Sequence, residues 1–346
     1  MRFTQKFSQF LITVVMTLLM VTSAFADNNL PGKGKTVQPA ACTWNTGFFQ
    51  AGVVMEGLRQ LGYEVKNPRT LTNPMFYQAV AMGDVDFWAN GWFPNHDNQL
   101  PKGFSKKADK VGYLVKGGAM QGYLASKEAV EKYNITSLED FKRDDVKKAF
   151  DRNGDGKADL VACPPGWGCE VIVTHHMEAY GLKDHVNVIK AVYAASIADA
   201  LASNRAENSP VLFYTWTPNW TVGKFVPGKD VLWINVPELK PTGSQVNNEE
   251  FMTVEGVKGA VTNPLKLGFV MSDLRVVANK KFLSDNPAAK RFFEVANIPL
   301  ADINAQNSRM FEGEDSAKDI QRHVEEWIEA NQDKWNQWLE EARSVK

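Results

Sequence analysis

Apolar positions along this chain switch between helical and strand spacing. Between Phe48 and Gly62, the residues Phe49, Val53, Val54, Leu58 and Leu61 recur at helical intervals. Tyr63–Lys66 reads as the next strand, closed by Asn67-Pro68. Asn73–Met82 reads as a helix and Gly83–Asn90 as a buried strand. With the short strand Lys35–Gln38 in front, the order is β-α-β-α-β, which predicts an open, mostly parallel sheet flanked by helices. A second α/β set follows. It begins after a strand at Gly112–Val115, with Gln121–Ala125 crossing over and a helix start capped by Thr136, Glu139 completing a capping box. A helix over Val171–Tyr180, a strand over Asn187–Val192, a helix over Ile197–Ala202 and a buried strand over Pro210–Trp216 complete it. Residues 240–264 are polar and show no period. Phe269–Asn279 reads as the returning strand, and the rest is helical: Pro287–Ala296, Pro299–Arg309 and one last helix over Ser316–Ser344. On that helix Trp327, Trp335 and Trp338 keep helical spacing and are expected to pack against the first set.

Two α/β sets crossed twice by the chain predict a hinged, two-lobed binding protein. The boundaries are 27–120 with 273–346 for lobe one, and 121–272 for lobe two. Residues 1–26 stand apart. Arg2 and Lys6 precede a short apolar run, and Ala24-Phe25-Ala26 gives a small-x-small pattern, so this segment reads as an export signal removed after Ala26. Without Arg2 and Lys6, 37 basic residues face 40 acidic ones, and no basic field argues for nucleic acid. Export makes a disulfide admissible. Cys163 and Cys169, six residues apart, are the natural pair, with Cys42 left as a buried thiol; other pairings stay open at this point.

The ten tryptophans change the picture most, because several sit in Gly/Pro loops at strand ends. Gly91-Trp92-Phe93-Pro94, Pro165-Gly166-Trp167-Gly168 and Trp216-Thr217-Pro218 occupy corresponding places in the two sets. In open α/β sheets ligands sit beyond such strand ends. Aromatic faces hold a quaternary ammonium, which has no N–H to donate, at roughly 0.5–2 kcal/mol each. Three faces give ~2–6 kcal/mol, short of the ~8 kcal/mol of a micromolar complex. A second anchor is therefore needed. The helix start at Gly168 and Cys169 offers N–H donors for a carboxylate, and His96 a further one. The competing reading makes these tryptophans core residues between lobes. Trp44, in another strand-end loop, and Phe93 are candidate cleft residues; Trp88, inside a strand, is expected in the core.

These segments resemble the glycine betaine/proline betaine periplasmic binding proteins, the substrate-binding components of ABC osmolyte importers. The resemblance rests on Asn90–Asn98, Asp151–Asp159, Cys163–Glu170, Tyr214–Pro218, Leu30–Gly34 and Pro299–Asn307, spread over essentially the whole mature chain. It implies a type II periplasmic binding fold, no enzymatic activity, no required cofactor, a monomer in the periplasm and a membrane permease as partner. It also implies a cation box of Trp92, Trp167 and Trp216, a carboxylate site of His96, Gly168 and Cys169, and a Cys163–Cys169 bridge. The chain departs from the family at Gly91-Trp92-Phe93-Pro94, where Asn-Trp-Thr-Pro is the pattern, and Trp44 and Trp88 are additional. Choline, carnitine, trimethylamine N-oxide and dimethylsulfoniopropionate are alternative ligands that share the cation.

Two further clusters carry other chemistry. Asp151, Asn153, Asp155, Lys157 and Asp159 match positions 1, 3, 5, 7 and 9 of a calcium loop, with Gly156 at the turn and Ala162 where the bidentate glutamate belongs. A structural calcium ion is one reading and a solvated Asx turn the other. His175, His176 and Glu178, with Asp151, are the residues an exported metal-dependent hydrolase would use.

Overall fold

The computed structural model describes residues 30–345, so the export segment lies outside the described residues. Its strands are, in chain order, β1 Thr36–Val37, β2 Pro39–Ala41, β3 Glu64–Val65, β4 Arg69–Thr70, β5 Phe87–Phe93 and β6 Ala108–Ala119. There follow β7 Gln121–Ser126, β8 Ala158–Val161, β9 Val186–Ile189, β10 Leu212–Trp216 and β11 Val231–Ile234. The short β12 Thr253–Val254 and β13 Leu265–Lys266 precede β14 Ser272–Asn279. One five-stranded sheet has the order β4-β2-β5-β14-β6, the other β11-β7-β10-β8-β9.

Both sheets are mixed rather than mostly parallel. β2 runs parallel to β4 and β5, but β14 is antiparallel to β5 and to β6. β8 is parallel to β9 and β10, whereas β7 is antiparallel to β10 and β11. The cause is the crossing. β6 and β7 are separated only by Met120, so one nearly continuous extended run leaves the first sheet and enters the second. β14 then returns into the middle of the first.

The helices follow their apolar faces. Phe48–Gln60 buries Phe49, Val53, Val54 and Leu58. Asn73–Met82 carries proline in its first turn and ends at Gly83, whose φ of 87° is the left-handed stop that glycine supplies. Around residue 136 the capping box is one residue later than expected, with Ser137 and Asp140, on a short 3-10 turn over Leu138–Lys142. The segment 240–264 holds two more such turns, Gly243–Gln245 and Glu249–Met252. The last helix is two, Ala317–Ala330 and Gln332–Ser344, with the break at Asn331. That break rotates the second piece so that Trp335 and Trp338 close on Phe292, at 5.7 and 6.2 Å between ring centres. The Trp335 indole donates to Gln60 Oε1 at 2.9 Å, so these tryptophans pack on lobe one as their spacing predicts.

Candidate functional site

β5 and β10 each bury every residue and both end on tryptophan-bearing turns. Trp92 is the penultimate residue of β5, and His96 follows on the 3-10 turn Asn95–Gln99. Trp216 is the last residue of β10. Trp167 is the N-cap of the helix Gly168–Ala179, which starts inside the Cys163–Cys169 disulfide loop. These ends converge on one cavity between the sheets. Trp44, Trp92, Asn95 and His96 form its lobe-one side; Trp167, Gly168, Cys169 and Trp216, with Gln121 and Tyr214, form the other.

The rings stand as upright walls. Trp167 meets Trp216 at 5.5 Å and 78°, and Trp44 at 5.4 Å and 69°. Tyr193 braces Trp216 from behind at 4.9 Å. Each of three indole N–H groups is turned onto a protein acceptor: Trp44 and Trp92 onto Asn90 Oδ1 at 3.0 and 2.9 Å, and Trp167 onto Thr43 Oγ1 at 2.8 Å.

His96 is buried and its protonation is fixed by its neighbours. The backbone N–H of Trp92, which only donates, points at Nδ1 at 3.2 Å, and the Tyr77 hydroxyl lies 2.7 Å from the same atom. Nδ1 is therefore bare and the neutral ring carries its proton on Nε2, which lies 3.2 Å from the side-chain amide of Asn73. Burial, then the charge of Lys110, lowers its pKa to about 3, so the ring stays neutral. Trp88 stacks on it at 5.9 Å and 14°. Opposite stands the helix start, whose Gly168 and Cys169 N–H groups have no carbonyl one turn earlier to bond. A side chain at Gly168 would place Cβ 3.1 Å from His96 Nε2. Its absence lets three N–H donors converge beside the aromatic walls. Such a cavity suits a small molecule with an alkylated cation at one end and a carboxylate at the other.

Phe93, expected in the cleft, is not there. Strand alternation turns it to the opposite face of β5 from Trp92, where it packs 6.2 Å from Tyr77 under the Lys110 ammonium, 4.0 Å from the ring centre. Trp88 is in the core and Trp44 lines the cavity. Cys42 is a free, buried thiol whose pKa burial pushes up to about 12. The Asp151–Asp159 loop is folded on itself. Asp151 accepts N–H from Gly154, Asp155 and Gly156; Asp155 accepts from Asn153 and Lys157. Asp159 is turned inward to the Arg152 N–H and the Asn187 amide. Among the described residues no group of three or more His, Cys, Asp or Glu is placed to hold a metal ion. The hydrolase residues are each engaged elsewhere. His176 is buried on the Tyr123 hydroxyl, His175 bonds the Lys240 carbonyl, and Glu178 pairs with Lys183 at the surface.

Thr43, Tyr77 and Asn90 were not foreseen as site residues. Asn90 alone had a signal, since it stands two residues before Trp92 in the same buried strand.

Residues 35–330 match the family described as the substrate binding domain of ABC-type glycine betaine transport systems. The chain is 42% identical over 334 residues to the glycine betaine-binding periplasmic protein OusX of Dickeya dadantii, covering 96% of this chain and 97% of that one. It is 41% identical over 336 residues to the glycine betaine/proline betaine-binding periplasmic protein of Escherichia coli, covering 96% and 97%. Among solved structures, lactococcal OpuAC in its closed form with glycine betaine aligns with a TM-score of 0.65 at 18% identity, over 88% of this chain and 99% of that one. A choline-binding protein of an ABC transporter, in complex with choline, aligns with a TM-score of 0.66 at 14% identity, over 88% and 91%. These two likenesses concern the fold.

Proposed function

The chain belongs to the family of substrate-binding domains of ABC-type glycine betaine transport systems, and on that premise we propose that it captures betaine-type quaternary ammonium osmolytes and delivers them to a membrane permease. Trp92, Trp167 and Trp216 surround the trimethylammonium group; His96 Nε2–H and the N–H groups of Gly168 and Cys169 take the carboxylate. The observation that carries this reading is the neutral, Nε2-protonated His96 facing a helix start across the open space at Gly168. A cationic residue there would hold any anion, but a neutral donor set suits a zwitterion whose own cation sits next door.

Capture works by closure. The ligand adds contacts to both lobes only when they meet, which shifts the equilibrium toward the closed form. The chemistry is binding alone: no bond of the ligand is broken. The relatives are named periplasmic, and with the export pattern of residues 1–26 this supports a periplasmic protein. Both sides of the cavity come from one chain, which supports a monomer as the binding unit.

Titration calorimetry with glycine betaine, proline betaine, choline, carnitine and dimethylsulfoniopropionate tests the reading. Betaines are expected to bind, with Trp167→Ala weakening them by about 1–2 kcal/mol or more. Choline, lacking the carboxylate, is expected to be insensitive to His96→Gln. Absence of heat with every betaine would remove the proposal.

A further inference from the structure

Asn90 and Trp44 carry a property of the site that the three-walled box does not include. Asn90 is buried, on the same face of β5 as Trp92, and its single Oδ1 accepts both the Trp44 and the Trp92 indole N–H. An amide oxygen has two lone pairs, so this acceptor is full. Gly47 makes the arrangement reachable: a Cβ there would lie 2.4 Å from Cys42 Sγ and 3.0 Å from Asn90 Nδ2. The turn Asn45–Gly47 therefore rests directly on Asn90 and carries Trp44 to the cavity. Trp88 at 5.5 Å and Trp167 at 5.4 Å fix the Trp44 ring from two other sides.

Resting on the functional reading above, we propose that Trp44 is a fourth wall of the cation box and that Asn90 is the positioning residue that holds Trp44 and Trp92 as one unit, restricting the site to fully alkylated onium heads. The electrostatics follow from the rings. An indole is negative on its faces and positive at its N–H edge. Tying both N–H edges to Asn90 keeps them off the cation and leaves the π-systems to it. The saturated Oδ1 also has no capacity left for an N–H on the ligand. On the Trp44–Asn90–Trp92 wall a tertiary ammonium such as that of N,N-dimethylglycine therefore finds no acceptor for its proton, and it binds more weakly there than a fully alkylated head.

The test is calorimetry with glycine betaine and N,N-dimethylglycine on the wild-type protein, Trp44→Leu, Asn90→Val and Asn90→Asp, with the indole ¹H–¹⁵N resonances recorded in each. Trp44→Leu and Asn90→Val are each expected to weaken glycine betaine about tenfold. Both are expected to narrow its advantage over dimethylglycine, and Asn90→Val to shift the Trp44 and Trp92 indole signals together. Asn90→Asp keeps an acceptor for both indoles but adds spare lone pairs and a charge, so it is expected to retain glycine betaine binding while narrowing the advantage over dimethylglycine. If Asn90→Val does not fold, Asn90→Ser takes its place. Tight betaine binding by the wild type with Trp44→Leu unchanged, or Asn90→Val weakening both ligands in equal proportion, overturns this inference alone. No betaine binding by the wild type overturns the functional reading as well.

Discussion

The indole N–H of Trp167 donates to the hydroxyl of Thr43 at 2.8 Å, joining the disulfide loop of one lobe to the first strand-end loop of the other. Under the proposed closure this bond forms only when the lobes meet. Thr43→Val removes its acceptor and nothing from the open protein. A neutral hydrogen bond contributes about 0.5–1.5 kcal/mol. Glycine betaine affinity is expected to fall about two- to tenfold, with the ligand-free melting temperature unchanged. An equal drop in both melting temperatures, with and without ligand, would show that the bond does not report closure.

Gly168 permits the close approach of helix and histidine. Alanine there is a better helix residue, yet its Cβ would sit 2.7 Å from His96 Cδ2. Gly168→Ala is therefore expected to weaken glycine betaine at least about tenfold, since the donors splay and the carboxylate loses bonds worth roughly 1.5–3 kcal/mol each. Calorimetry beside a thermal melt separates this from unfolding.

Two buried histidines set the acid response. Burial first lowers both His96 and His176 from 6.5 to about 3. Between those values the unfolded chain binds protons that the folded chain refuses, so stability falls as pH drops through this window and is complete above 6.5. Two such groups give a slope of up to about 2.7 kcal/mol per pH unit. Glu314, held down to about 2 by His323, Arg322 and Arg309, loses its contribution only as pH falls below its ordinary 4.5. Denaturant midpoints between pH 7 and 5 are expected to decline, and His176→Gln to reduce the slope by about half. Betaine affinity itself should stay level from pH 8 to 5, because His96 remains neutral throughout.

Opening the Cys163–Cys169 bridge frees a six-residue separation. Loop-closure entropy puts the loss near 2 kcal/mol. Reduced protein, or Cys163→Ser with Cys169→Ser, is expected to unfold earlier in denaturant by that amount. It should also bind betaine more weakly, because Trp167, Gly168 and Cys169 all lie within or at the end of the loop. Unchanged affinity after reduction would mean that helix packing alone holds the donors in place.

Much of this site was legible in the chain because its signals are local. Pro and Gly around Trp92, Trp167 and Trp216 mark strand-end turns, and the apolar runs before them mark buried strands. Phe93 was misplaced for a reason the chain did contain: β5 continues to its position, and period-two alternation sends it away from Trp92. Asn90, Thr43 and Tyr77 were hidden because their roles depend on partners 46, 124 and 19 residues away. Residues that hold others in place have no spacing rule of their own. The break at Asn331 was equally silent, since both pieces keep helical periodicity.

The position of β14 bears on the order in which the molecule forms. It lies between β5 and β6, yet it is the last strand to be made. The first sheet therefore stays split, with two raw edges, until the chain past Asn279 has emerged. The second sheet draws all its strands from Gln121 to Ile234 and can close earlier. As the chain emerges, the half that carries Trp167 and Trp216 is able to fold first, and it can serve as the template on which the half that carries Trp92 and His96 is completed.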